Sequence, residues 1–301
     1  MGPSLRKRKN KPGRLLVSGV IILVITLLCF IDNELIRVSR YDVEINGLPR
    51  SFAGFKILHL SDLHGKEFGS GNRRLLKIIE RENPDIIVAT GDMINSIGDD
   101  GSSFLNLLKG INGRYPVYFS LGNHEQAVRV RDQRQDTGVF REFVKQIQEV
   151  GGIVLDNERA EIKKEDGSLH LYGFTSMLHR YRGSGTAYRN GSDLRADSLI
   201  AELGRPSGEG INLLLAHDPK YFAEYARWGA DIVLAGHVHG GIVRLPFLGG
   251  IFSPDRTLFP EYQAGIYKRG DAVMLVSRGL GSSVIPLRLF NRPEVVVITL
   301  K

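Results

Sequence analysis

The sequence predicts an α/β protein: a four-layer α/β/β/α sandwich of two mixed sheets, preceded by an N-terminal transmembrane helix. Three observations lead there. Leu15 to Ile31 runs seventeen residues without a charge. After it, short apolar or β-branched runs alternate with amphipathic stretches of helical spacing. The second half then packs strand-like runs closer together, the mark of a second sheet.

The apolar run, as a helix rising ~1.5 Å per residue, spans roughly 25 Å, somewhat under a ~30 Å hydrocarbon core. A cleaved signal peptide would share its basic start. Against cleavage, the run ends in Phe30-Ile31-Asp32-Asn33-Glu34, with no small-residue cleavage pattern. No Arg-Arg pair precedes it, so a twin-arginine signal is unsupported. Nor does it have the polar face of a helix lying in the interface. Residues 1–14 therefore read as a basic cytoplasmic tail and residues 15–31 as the anchor. Positive flanks stay inside, which places the rest of the chain outside the cell membrane.

Residues 32–54 read as a linker that can also supply an edge strand, and residues 55–301 as the folded domain. Phe55 to Leu60 is a strand, Asn72 to Glu82 a helix ending before Pro84, and Asp85 to Ala89 a buried strand. A helix near Ser103 to Lys109 and a strand from Val117 to Leu121 follow. Gly138 to Val150 reads as a helix capped by Thr137 and closed by Gly151. Ile153 to Leu155, Ala160 to Lys163 and Leu169 to Tyr172 read as strands, the last two joined across Asp166-Gly167. Helices near Leu194 to Leu203 and Tyr221 to Arg227 alternate with strands at Ile211 to Ala216 and Asp231 to Ala235. Val273 to Ser277 and Val295 to Leu300 complete the strands.

Composition excludes several classes. With 42% hydrophobic and 24% charged residues, the chain is not a disordered one. The formal charge is +7, but six basic residues (Arg6, Lys7, Arg8, Lys9, Lys11 and Arg14) precede any acidic one, leaving only +1 beyond them. A nearly neutral folded part argues against a nucleic-acid groove. Cys29 is the single cysteine, so no intramolecular disulfide forms.

Five segments share one design, an apolar strand followed at once by a polar cluster: Ser61-Asp62-Leu63-His64, Gly91-Asp92, Gly122-Asn123-His124-Glu125, His217-Asp218 and Gly236-His237-Val238-His239. Ligands of open α/β sheets bind beyond the carboxyl ends of strands. Asp62, Asp92 and Asn123 offer oxygen, and His64, His217, His237 and His239 offer nitrogen. No thiolate takes part, and this mixed shell suits Mn, Fe, Zn, Co or Ni rather than Ca. Seven donors exceed the needs of one catalytic ion, whereas two ions sharing a carboxylate use them economically. Five of the eight histidines stand in these clusters, too many for isolated surface residues.

Asp62-x-His64, Gly91-Asp92, Gly122-Asn123-His124-Glu125, His217 and Gly236-His237-x-His239 resemble, in order and spacing, the motifs of the calcineurin-like metallophosphoesterases. The apolar run and the stretch Gly236 to Gly241 further resemble the membrane-associated branch typified by YkuE- and YaeI-like proteins. The resemblance implies two divalent cations, one held by Asp62, His64 and His239, the other by Asn123, His217 and His237, with Asp92 bridging. It places His124 toward the leaving-group oxygen as the catalytic residue. It implies hydrolysis of a phosphomonoester, phosphodiester or pyrophosphate by metal-activated hydroxide, the substrate lipid-linked in keeping with an anchored enzyme.

A protonated His124 would want an orienting carboxylate, and Glu125 and Asp62 are the candidates. His59 and His170 are expected in core or surface roles. Arg129 to Arg134 is expected as a solvated loop, with a phosphate clamp as its alternative, and Tyr181 to Gly185 is read the same way. Asp218 is expected to cap the helix after Pro219. Substrate-binding residues and oligomeric state are not legible. The competing functions are a metal-binding scaffold without turnover, whose signature would be lost ligands, and a nuclease, which the neutral folded part disfavours.

Overall fold

The computed structural model describes residues 12–181, 194–245, 247–254, 257–282 and 288–301. Most of the basic tail and residues 182–185 of the Tyr181 stretch lie outside them. The chain opens with helix α1 (Pro12–Glu34). Among its described side chains, Leu16, Val17, Leu23, Leu27 and Phe30 are each more than half exposed, and its last turns touch the protein. There Asp32 accepts hydrogen bonds from Phe290 N (2.6 Å) and Arg292 Nε (3.1 Å). Arg74 donates to the Glu34 carbonyl at 3.0 Å and pairs with its carboxylate. Several α1 side chains are outside the described set, and among the described residues no helix is long and apolar enough to cross a membrane.

The first half continues as β1 (Arg37–Val43), β2 (Lys56–Leu60), α2 (Arg73–Glu82), β3 (Ile86–Thr90), α3 (Ser102–Ile111) and β4 (Val117–Ser120). Next come α4 (Asn123–Gln135), α5 (Val139–Glu149) and β5 (Gly152–Val154). The second half supplies β6 (Glu158–Lys164), β7 (Gly167–Phe174), α6 (Ala196–Leu203), β8 (Ile211–Ala216), α7 (Phe222–Trp228) and β9 (Ile232–Ala235). A short pair, β10 (Arg244–Leu245) and β11 (Gly249–Gly250), precedes β12 (Gly265–Arg269), β13 (Ala272–Val276) and β14 (Glu294–Leu300).

Two six-stranded mixed sheets result, ordered β1-β14-β2-β3-β4-β5 and β12-β13-β9-β8-β7-β6. In the first, β2 to β5 run parallel and β14 is antiparallel to β2. In the second, β7, β8, β9 and β13 run parallel, with antiparallel strands at both edges. Ile57, Val88, Leu171, Leu213, Leu234 and Ile298 fill the layer between the sheets. Leu75, Ile79, Phe104 and Phe143 pack α2, α3 and α5 on the outer face of the first sheet. Leu199, Phe222, Tyr225 and Trp228 pack α6 and α7 on the outer face of the second. The four-layer α/β/β/α arrangement follows from these three cores.

Two local expectations are corrected. Arg129 to Arg134 is helical, not a loop: it forms the second half of α4. Thr137 does not cap α5, because its hydroxyl donates to Asp132 Oδ1 (2.6 Å) and it is the Asp132 carboxylate that accepts Val139 N and Phe140 N. Asp218 does cap, its Oδ1 accepting Lys220 N at 3.1 Å. The β6–β7 hairpin turns tightly, with Lys164 paired to Gly167.

Candidate metal centre

Strands β2, β3 and β4 of one sheet and β8 and β9 of the other end on the same side. The residues just past them converge: Asp62 and His64 after β2, Asp92 after β3, Asn123 and His124 after β4, His217 after β8, His237 and His239 after β9. Ligand atoms of Asp62, His64 and His239 lie within 4.8 Å of one another, and so do those of Asp92, His217 and His237. Asp92 joins the two groups, its Oδ2 standing 3.1 Å from His217 Nε2 and 3.8 Å from His64 Nε2. All six side chains are buried.

The backbone is bent to achieve this. Asp62, His64, Asp92, His237 and His239 all have left-handed φ, between 49° and 66°. Such a φ costs a non-glycine residue roughly 1–2 kcal/mol, and it collects where surrounding structure enforces it. Glycine is required where those turns touch: a Cβ on Gly91 would overlap the backbone of Gly122, and one on Gly236 would overlap Ser61 Oγ and the Asp62 carboxylate.

Groups outside the cluster aim the imidazoles. His217 Nδ1 donates to the Thr90 carbonyl at 2.6 Å, which turns Nε2 toward Asp92. His239 Nδ1 faces the Gly281 carbonyl at 3.3 Å, leaving its Nε2 3.1 Å from His64 Nε2. Holding one ring nitrogen fixes the tautomer that offers the other as a ligand. Asp62 accepts His237 N through both oxygens, at 3.0 and 3.2 Å.

Burial lowers His64 to about 3 and drives His239 well below the ordinary imidazole range, so both rings present bare lone pairs. Burial also pushes Asp62 up to about 6, although the facing His217 opposes it. His217 departs the other way. Burial opposes its charge, but Asp92 and Asp62 hold it up to about 10, so a proton between imidazole and carboxylates stands where a cation would. Asn123 Oδ1 is buried with no hydrogen-bond donor against it. Converging neutral imidazoles, two carboxylates and an orphaned amide oxygen fit a pair of borderline divalent cations.

His124 stands at the rim, with Nε2 4.0 Å from Asp92 Oδ2. Its orientation corrects the expectation of a carboxylate partner. Nδ1 accepts the backbone N–H of Ser96 at 2.9 Å. Glu125 is occupied elsewhere, accepting the amides of Asp92, Met93, Ile94 and Gly122 at 2.7–3.1 Å. Asp62 is committed to His237.

Sequence reasoning missed the supports. The fully buried Arg288 donates to the carbonyls of Arg278 (3.0 Å) and Gly281, so it steadies the loop that faces His239. Asn291 donates to the His239 carbonyl at 2.8 Å. Neither follows an apolar strand, the only signal that marked the others. His59 lies in the core, bonded to Thr90 Oγ1 at 2.7 Å, and His170 meets the Glu209 carbonyl on a strand; neither joins the cluster.

Residues 55–241 match the family model described as calcineurin-like phosphoesterase. An uncharacterized metallophosphoesterase, YkuE of Bacillus subtilis, is 27% identical over 90% of this chain and 88% of its own length. Phosphodiesterase YaeI of Escherichia coli is 28% identical over 89% of this chain and 88% of its own. A transmembrane protein with a metallophosphoesterase domain from Danio rerio is 26% identical over 88% of this chain, which spans 57% of that relative. The chain belongs to the calcineurin-like phosphoesterase family and is a metal-dependent phosphohydrolase.

Proposed function

We propose that the protein is a membrane-anchored phosphoesterase that binds two divalent cations and hydrolyses a phosphomonoester, phosphodiester or pyrophosphate bond. The observation that carries this reading is the position of Asp92, which groups with His217 and His237 and also reaches His64 of the Asp62, His64 and His239 group. Asp62, His64 and His239 would hold one ion and His217, His237 and Asn123 the other, with Asp92 shared between them. A bound pair supplies Lewis-acid charge and lowers the pKa of coordinated water. The chain's own contribution is to position and to donate. His124, its Nδ1 occupied by Ser96, directs Nε2–H toward the leaving oxygen. Glu125 fixes the Asp92 turn against the start of α4 and so sets His124 relative to the bridge.

Anchoring rests on the uncharged run Leu15 to Ile31 and on the exposed apolar side chains of α1. Residues 1–14 form the cytoplasmic tail, 15–31 the anchor, 32–54 the link, and 55–301 the catalytic domain outside the membrane. The clamp at Asp32 and Glu34 holds that domain against the helix end, which favours a substrate at the lipid surface, such as a lipid-linked pyrophosphate. Protease accessibility on intact cells tests the orientation: digestion of the domain supports it, and protection reverses it.

Full-length protein loaded with Mn²⁺, assayed on p-nitrophenyl phosphate and bis(p-nitrophenyl) phosphate with metal analysis alongside, tests the chemistry. Two ions with chelator-sensitive turnover support the enzyme. Two ions without turnover on any ester favour a binding scaffold instead.

A further inference from the structure

A cavity of about 410 Å³ opens beside His124, and nothing above uses it. Its near end is Ser96, whose N–H holds His124. Ile97, Ala127, Val130 and Leu178 make most of its lining apolar, and Arg131 and Arg134 line it further along α4. His124, Ala127, Arg131 and Arg134 recur at three- and four-residue spacing, so they form one stripe along α4. At ~1.5 Å per residue, Arg131 lies about 10 Å and Arg134 about 15 Å along the helix from His124.

The charges of α4 are otherwise spent. Arg129 pairs with Asp156 at 2.7 Å, Glu125 takes four amides, and Asp132 accepts Thr137 and the amides of α5. Among the described residues neither Arg131 nor Arg134 has an ion pair. Two guanidinium groups with no ion pair among the described residues, lining an open and mostly apolar cleft, match an anion carried on an apolar segment.

We propose that this cleft is the leaving-group subsite, and that it selects esters whose leaving group is an apolar segment about 10 Å long ending in a second anionic group. The proposal rests on the reading that the ester is cleaved at the paired ligand groups beside His124, so its test separates the two. Calorimetry on Mn²⁺-loaded full-length protein would compare octane-1,8-diyl bisphosphonate with octylphosphonate, neither of which can be hydrolysed. The bisphosphonate should bind about tenfold more tightly, the worth of one charge-assisted contact. In the Arg131→Gln, Arg134→Gln double variant that preference should vanish, while Arg131→Lys, Arg134→Lys should keep part of it. Equal affinities in the native protein, or a preference that survives the glutamine changes, overturn the subsite. Hydrolysis of p-nitrophenyl phosphate by the native protein tests the metal-centre reading separately. A preference that depends on the arginines without any hydrolysis would leave the cleft standing and remove that reading.

Discussion

The backbone N–H of Ser96 donates to Nδ1 of His124 at 2.9 Å, so the hydrogen of the neutral ring sits on Nε2, the nitrogen turned toward Asp92. The ring is therefore an Nε2–H donor aimed by main chain at Nδ1, with the Asp92 carboxylate 4.0 Å from Nε2. Ser96 follows Asp92 on the β3 loop, and His124 follows Asn123 at the start of α4. The donor and the Asp92 carboxylate are thus tied to the same two segments.

His124→Ala should slow turnover of an alkyl phosphate ester by about 10²–10³-fold while both ions remain on metal analysis, the loss of one donor to the charge developing on the leaving oxygen. The loss should be much smaller for p-nitrophenyl esters, because nitrophenoxide spreads its charge over the ring and needs no donor. An equal loss on both substrates would move the role of His124 from the leaving oxygen to the other phosphoryl oxygens.

Asp92 has two tasks that substitution can separate. Oδ1 accepts His124 N at 2.8 Å and so caps α4, while Oδ2 faces His217 and His64. Asp92→Asn keeps an acceptor for the cap but loses the charge that faces His217: metal content should fall below two, activity should disappear, and with chelator at pH 7 the melting temperature should drop as that pairing is lost. Asp92→Ala should also lose the cap, melting lower by the equivalent of about 1 kcal/mol. Two bound ions in Asp92→Asn would rule out the bridge.

The pH behaviour of the metal-free protein follows from His217. Its folded value, about 10, lies above the ordinary 6.5. The protonated imidazole therefore contributes stability that is complete below pH 6.5 and is lost as pH rises toward 10. With chelator, the denaturation midpoint should drop between pH 7 and 9.5; with excess Mn²⁺, which needs the neutral ring, that drop should shrink. Loading with Mn²⁺ at pH 8 should release about one proton per protein, the one on His217, read by calorimetry in buffers of different ionisation enthalpy. A chelated protein whose midpoint is flat across this range would show that the imidazole is not protonated there.

The parts of the fold that were legible are those whose burial is written in local pattern. Ile86 to Thr90 and Ile211 to Ala216 are fully buried strands and read as continuous apolar runs. Helix α4 escaped because Asn123 to Gln135 has almost no apolar face; only Val128 among its aliphatic residues is buried, and the helix is held at its start by Asp92 and Glu125. Strand β12 escaped for a related reason, since Ile266, Lys268 and Arg269 are exposed at a sheet edge. Asp62, His64, Asp92, His217, His237 and His239 were legible because each follows an apolar strand directly. Ser96 was not, because it acts through a backbone N–H that carries no residue-type signal, and Arg288 was not, because its partners are carbonyls defined only by the folded loop.

Strain at the ligand turns yields a last prediction. His239 has φ of 53°, a conformation glycine adopts freely and alanine does not. His239→Gly and His239→Ala both delete the imidazole and its contact with Gly281, so both should lose the same ion. They differ in the backbone: with chelator present, the glycine variant should be more stable than the alanine variant by about 1 kcal/mol, reversing the order seen in ordinary extended or helical positions. Urea denaturation of the two variants measures the difference directly. If alanine is the more stable, the turn carries no strain of this kind, and the left-handed φ shared by five of the proposed ligands reflects local preference rather than a conformation imposed for metal binding.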